Sequence, residues 1–117
     1  MRLGEKQRLF TRLMLSGAVL LKLDELGLEA TFGDAYRDPR AFGALGQSKD
    51  GVYGAKYSCH KSRLALDLNL FRGGVYLDRT DDHQALGAWW EQQHELNCWG
   101  GRFNDGNHYS MTHDGMK

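Results

Sequence analysis

Leu64, Leu66, Leu68 and Leu70 alternate with Ala65, Asp67, Asn69 and Phe71. A period of two fits a strand with two different faces. No other stretch constrains the fold as tightly. Leucines on one face require a core to cover them, and Asp67 then falls on the opposite face, between a small residue and an amide. Arg72-Gly73-Gly74 follows as a turn, so a partner strand at Val75–Leu77 completes a hairpin.

Elsewhere the patterning is mostly helical. Leu9, Leu13, Leu20 and Leu23, with Phe10, Met14 and Leu26, recur at helical spacing and predict one amphipathic helix from Glu5 to Leu26, stopped by Gly27. Its apolar stretch Leu13–Leu21, preceded by Arg2, Lys6, Arg8 and Arg12, imitates an export signal. Lys22, Asp24 and Glu25 stand where a small-residue cleavage site would be. A folded helix is therefore the preferred reading and export the minor one. No run reaches the roughly 18 apolar residues of a membrane span. Leu28–Tyr36 reads as extended, Asp38-Pro39 as the capped start of a short helix, and Gly43 to Gly54 as a long polar loop. Thr80 is expected to cap a helix that starts at Asp81-Asp82 and buries Ala85, Leu86, Trp89, Trp90 and Gln93. Asn97–Met111 reads as a glycine-punctuated β segment. The sum is an α+β fold, a small antiparallel sheet with helices packed on it. At 117 residues, with one proline and no repeat, residues 1–117 form a single domain.

Lys plus Arg number 15 and Asp plus Glu number 15. That balance lacks the basic excess a nucleic-acid module needs, so no nucleic-acid partner is expected. Cys59 and Cys98 are too few for a disulfide framework and are expected as reduced thiols.

The chemistry concentrates at three places. His60 precedes Asp67 by seven residues, an odd number, so one unbroken strand would put them on opposite faces about 23 Å apart. They meet only if the chain turns between them, and Lys61-Ser62-Arg63 is where such a turn fits. Asp105-Gly106-Asn107-His108 is strong turn chemistry that brings Asp105 beside His108. Taken singly, each residue has an ordinary structural reading as a solvated strand acid or a turn histidine. Together they offer two imidazoles and one carboxylate as ligands to a divalent cation, plus a second carboxylate, Asp105, as general base. A free aspartate titrates near ~3.9, so such a base needs partial burial. His83 and His94 are expected on the surface. Trp89, Trp90, Trp99 and Phe103 read as core rather than as a stacking platform. Cys59 adjoins His60 but should point away from it.

At these residues the chain resembles the zinc D-alanyl-D-alanine carboxypeptidases and dipeptidases, together with phage L-alanyl-D-glutamate endolysins. Their pattern Ser-x-His-x-x-Gly-x-Ala-x-Asp, then acid-x-x-His, is matched by Ser58, His60, Ala65 and Asp67, then by Asp105 and His108. The resemblance runs from about Leu28 to Met111, and aspartate at 105 is similar to the endolysin branch. It implies a Hedgehog/DD-peptidase-like fold and Zn2+ held by His60, Asp67 and His108. It further implies Asp105 as general base, Arg37 as oxyanion stabiliser and Ser58 as a substrate-binding or loop-holding residue. The implied activity is hydrolysis of peptidoglycan stem peptides, at the L-Ala–D-Glu bond. The alternatives are a D-Ala-D-Ala carboxypeptidase and a non-catalytic zinc-stabilised wall-binding domain. A monomer is expected, cytoplasmic until a holin-like pore releases it. One position departs from the pattern: Arg63 replaces the glycine. If that glycine serves a positive φ, the turn here should differ.

Overall fold

The computed structural model describes all of residues 1–117. Four helices, α1 (Leu3–Leu15), α2 (Ala18–Leu26), α3 (Pro39–Phe42) and α4 (Gln84–Gln93), accompany five strands. The strands are β1 (Glu29–Phe32), β2 (Ala65–Arg72), β3 (Val75–Leu77), β4 (Asn97–Trp99) and β5 (His108–Met111). Every pairing is antiparallel, in the order β1-β2-β5-β4, with β3 also paired to β2. This is the α+β class that the alternation and the helical stretches require. No helix is long and apolar enough to cross a membrane.

The leucine strand forms where expected. Leu64, Leu68 and Leu70 are buried and Leu66 is half-buried. Gly73 and Gly74 both take positive φ, 57° and 79°, as a two-residue hairpin turn of the primed type demands. The leucines pack with Phe10, Leu23, Leu86, Trp90, Tyr109 and Met111. Phe10 meets the Trp90 ring edge-on at 5.9 Å, and the Trp90 indole donates to the carbonyl of Ser110 at 3.1 Å. Trp90 thereby ties α4 to β5, the strand that carries His108.

Three expectations about the helices are corrected. The single helix Glu5–Leu26 is two, because Gly17 at φ 87° breaks the chain after Ser16. The apolar periodicity runs through the break, but a Gly/Ser pair is a normal site for a sharp bend. Leu15, Leu20 and Leu21 are left exposed. Gly27 does end α2 in the left-handed conformation, and Asp38 does cap α3, its carboxylate accepting from the Arg40 N–H at 2.8 Å. Thr80, by contrast, is the first residue of a 3₁₀ turn, Thr80–His83, and the capping position is Arg79. The Arg79 N–H donates to the Asp82 carboxylate at 3.0 Å. Along α4, Leu86, Gly87 and Trp90 are buried, whereas Ala85 and Gln93 are exposed and Trp89 is half-buried.

His83 is buried, not a surface residue, and shares a 2.7 Å hydrogen bond with the Tyr109 hydroxyl. His94 ends α4 and accepts from the Leu96 N–H through Nδ1. Burial lowers the His83 pKa below its ordinary 6.5, because the imidazolium loses hydration. The unfolded chain then binds the proton more readily, so folding stability is present in full above about pH 6.5 and falls as pH drops below it. His83→Gln should flatten that acid-side loss. Urea unfolding of both proteins between about pH 7.5 and about pH 5 checks this, and parallel curves would rule it out.

Candidate metal centre

The site is assembled by one turn and one strand pairing. Ser58 starts the turn, its hydroxyl accepting from the His60 N–H at 3.2 Å. Cys59–Ser62 form a 3₁₀ turn, and Arg63 then takes φ 56°, ψ 34°. The Leu64 N–H donates back to the Cys59 carbonyl at 2.9 Å, which closes the reversal and feeds the chain into β2. The odd spacing between His60 and Asp67 is thus resolved by a turn at the expected place. Arg63 itself adopts the left-handed conformation that suits glycine. A non-glycine residue there is disfavoured by roughly 1–2 kcal/mol. Its guanidinium stacks at 3.8 Å over the Tyr36 ring, a cation–π contact of compensating sign.

The pairing of β2 with β5 does the rest. Its register sets Asp67 directly opposite His108, and opposed residues of an antiparallel pair project side by side on one face. The 105–108 turn closes as expected, the His108 N–H donating to the Asp105 carbonyl at 3.1 Å. It is fitted closely on both sides. A Cβ on Gly106 would lie 2.6 Å from the Thr80 Cα, and one on Gly100 would lie 2.7 Å from the His108 Cβ. The Trp99 indole donates to the Gly106 carbonyl at 2.6 Å.

Three ligand atoms converge. His60 Nε2 lies 3.1 Å from Asp67 Oδ1 and 3.2 Å from His108 Nδ1, and the latter two atoms are 3.6 Å apart. Tetrahedral coordination with metal–nitrogen bonds of about 2.0–2.1 Å requires ligand atoms about 3.3 Å apart. The three separations bracket that edge length. His60 Nδ1 is 2.7 Å from the Ala35 carbonyl. A carbonyl only accepts, so Nδ1 is the protonated nitrogen and a neutral His60 turns the Nε2 lone pair inward. A lone pair, an imidazole nitrogen and a carboxylate oxygen then face one another, which calls for positive charge between them. Burial pushes the Asp67 carboxyl up, but the His108 and His60 imidazoles beside it outweigh that and hold the pKa at about 2, so the carboxylate is ionised. This buried group could hold a metal ion.

Segment 33–37 buttresses the triad. The Gly33 N–H donates to the Asp67 carbonyl at 2.7 Å and the Asp67 N–H to the Asp34 carbonyl at 2.8 Å. The Arg37 N–H donates to the His60 carbonyl at 3.1 Å. The Arg37 side chain is only 11% exposed. Nε donates to Asp34 at 3.2 Å and Nη1 to Ser58 Oγ at 3.3 Å. The Asp34 pair is a half-buried brace for the Arg37 side chain. Ser58 holds both the turn and Arg37.

Arg37, Ser58, His60, Asp105 and His108 line one cavity of about 330 Å³. Asp105 stands outside the triad, its carboxylate 3.9 Å from His108 Nδ1 and 52% exposed. The burial expected of a base is thus absent. Phe103, expected in the core, is exposed and packs edge-on against His108 at the cavity wall, with ring centroids 5.6 Å apart. Trp90 is core and Trp99 half-buried. Both cysteines are free and buried. Cys59 donates to the Met111 carbonyl, away from His60, and burial pushes its thiol up to about 12, which excludes a thiolate nucleophile near neutrality.

No protein-family model matches this chain. No curated protein and no solved structure is significantly similar to it.

Proposed function

We propose that the chain is a zinc metallopeptidase that hydrolyses peptide bonds in peptidoglycan stem peptides, in the manner of the phage endolysins its motif resembles. The observation that carries this reading is the tetrahedral spacing of His60 Nε2, Asp67 Oδ1 and His108 Nδ1, in a cavity that Arg37 and Asp105 also line. Two imidazoles and one carboxylate suit zinc, and three protein ligands leave a fourth position free. Bound there, zinc would polarise the scissile carbonyl and make a water reactive at neutral pH.

The protein's own groups supply the remainder. Asp105 accepts a proton from the attacking water and returns it to the departing nitrogen. Substrate seated in the open cavity would cover Asp105 and displace water from it. Arg37 has Nε and Nη1 committed to Asp34 and Ser58, so Nη2 remains to donate to the oxyanion that develops on the carbonyl oxygen. Ser58 and Asp34 aim that group. The L-Ala–D-Glu bond is the proposed scissile bond on the strength of aspartate at position 105.

Purified sacculi should be lysed with release of new amino groups, halted by a chelator and restored by added zinc. Zinc and sacculus binding without new amino groups would instead establish a wall-binding domain, and release of terminal D-alanine alone a carboxypeptidase.

A further inference from the structure

Two apolar cavities, of about 310 and about 210 Å³, share Met14, Leu15, Phe32 and Leu66 and so form one groove along the α1–α2 corner. Thr11, Tyr36 and Arg63 line one end of it, and Val19, Leu20 and Ala30 the other. No residue of the groove lines the metal cavity, and the proposed hydrolysis makes no use of it. Three of its wall residues stand out into solvent: Phe32 is 74% exposed, Leu15 72% and Leu20 62%. Large apolar side chains exposed side by side mark an interaction surface. The groove is also polarised in charge. At the Thr11 end stand Arg63, in the wall, and the exposed Arg8 and Arg12. These two share a face of α1 with Thr11 and Leu15, being three, four or seven residues apart. At the Leu20 end stand Asp24, one turn further along α2, and Glu29, next to Ala30; both are exposed.

We propose that this groove is the interface of a dimer, in which a second copy of the chain packs across it about a two-fold axis near Phe32. A two-fold axis sets a surface against its own reversed copy. The basic end of each protomer then meets the acidic end of the other, with the apolar middles in contact between them. A surface ordered basic, apolar, acidic is complementary to itself when reversed, whereas an anionic lipid surface would be repelled at the Asp24 end. The remaining requirement of such a contact is also met, because projection and hollow lie on the same surface. Phe32 projects beside the open groove, so each ring can enter the partner's. Phe32 belongs to β1, the edge strand of the sheet, where a neighbour can approach. The balance of 15 basic and 15 acidic residues leaves no net charge to hold two copies apart. The chain is then a dimer, not the expected monomer, with both metal cavities left open.

Sedimentation of the full chain from about 1 µM to about 1 mM tests this. The mass should climb with concentration from the 13.3 kDa of one chain towards twice that. Leu20→Glu and Phe32→Glu alter exposed positions, and circular dichroism like that of the wild type would show that both proteins fold. Each should raise the dissociation constant at least about thirtyfold, the loss that a central interface residue produces. Arg12→Glu and Asp24→Lys should each weaken the dimer, and the two combined in one chain should restore it, because each charge again meets its opposite. A chain that stays at 13.3 kDa throughout, or a dimer unchanged in both glutamate variants, would overturn the proposal. A combined charge variant as weak as its parents would overturn the two-fold arrangement. Vesicles of anionic lipid that bind the wild-type monomer but not Phe32→Glu would assign the groove to a membrane instead.

Discussion

His108→Ala, Asp67→Asn and His60→Ala proteins should each lose tight zinc binding, against one zinc per chain in the wild type. Removing partners that merely orient a ligand lowers metal affinity by about 10–100-fold, so deletion of a ligand itself should cost at least about a hundredfold. The stability readout should be equally large. Zinc at a thousand times its Kd stabilises the folded state by about 4 kcal/mol, and for a chain of this size that raises Tm by about 15 °C. Asp67→Asn is the informative substitution because it keeps shape and removes only charge. The Asp67 carboxylate faces His60 Nε2 at 3.1 Å and His108 Nδ1 at 3.6 Å, and an amide cannot neutralise a cation held there. Titration of metal-free protein with zinc, followed by thermal unfolding, measures both quantities. A wild-type protein that takes up no zinc, or an Asp67→Asn protein with an undiminished thermal shift, would contradict the metal centre.

How much of this centre is legible in the chain depends on whether local or long-range forces decide each part. The leucine alternation, the Gly73-Gly74 hairpin and the reversal between His60 and Asp67 are local, and each sits where its residues require. The closeness of Asp105 to His108 is also local, fixed by a four-residue turn. The facing of Asp67 by His108 is not local. It depends on the register of β2 against β5, strands joined through α4 and β4, and no pattern within either strand specifies it. The burial of His83 against Tyr109 is hidden for the same reason. Arg63 fails differently: left-handed backbone is uncommon outside glycine, so nothing in the sequence marks the positive φ that this arginine adopts. The Ala35 carbonyl, which sets the His60 tautomer, has no sequence signal, because every residue carries a backbone carbonyl.

Metal binding alone would not make an enzyme, and Asp105→Asn separates the two. Asp105 lies outside the three-atom cluster, 3.9 Å from His108 Nδ1, so the asparagine protein should bind zinc like the wild type. Its rate on sacculi should fall by about 10²–10⁴-fold, the usual contribution of a general base. Arg37→Ala should fall by about 10²–10³-fold, the usual contribution of one oxyanion donor. The two losses should differ in kind as well as in size. In the proposed mechanism Asp105 would act on the proton, so its removal should alter the shape of the pH–rate profile. Arg37 would act on the oxyanion, so its removal should lower the whole profile without changing its shape. Arg37→Lys should not rescue, because a single ammonium cannot contact Asp34 and Ser58 and still present a donor to substrate. An Asp105→Asn protein with the wild-type lytic rate would show that the proton goes elsewhere, and the cavity would then be a metal-organised binding site with no base.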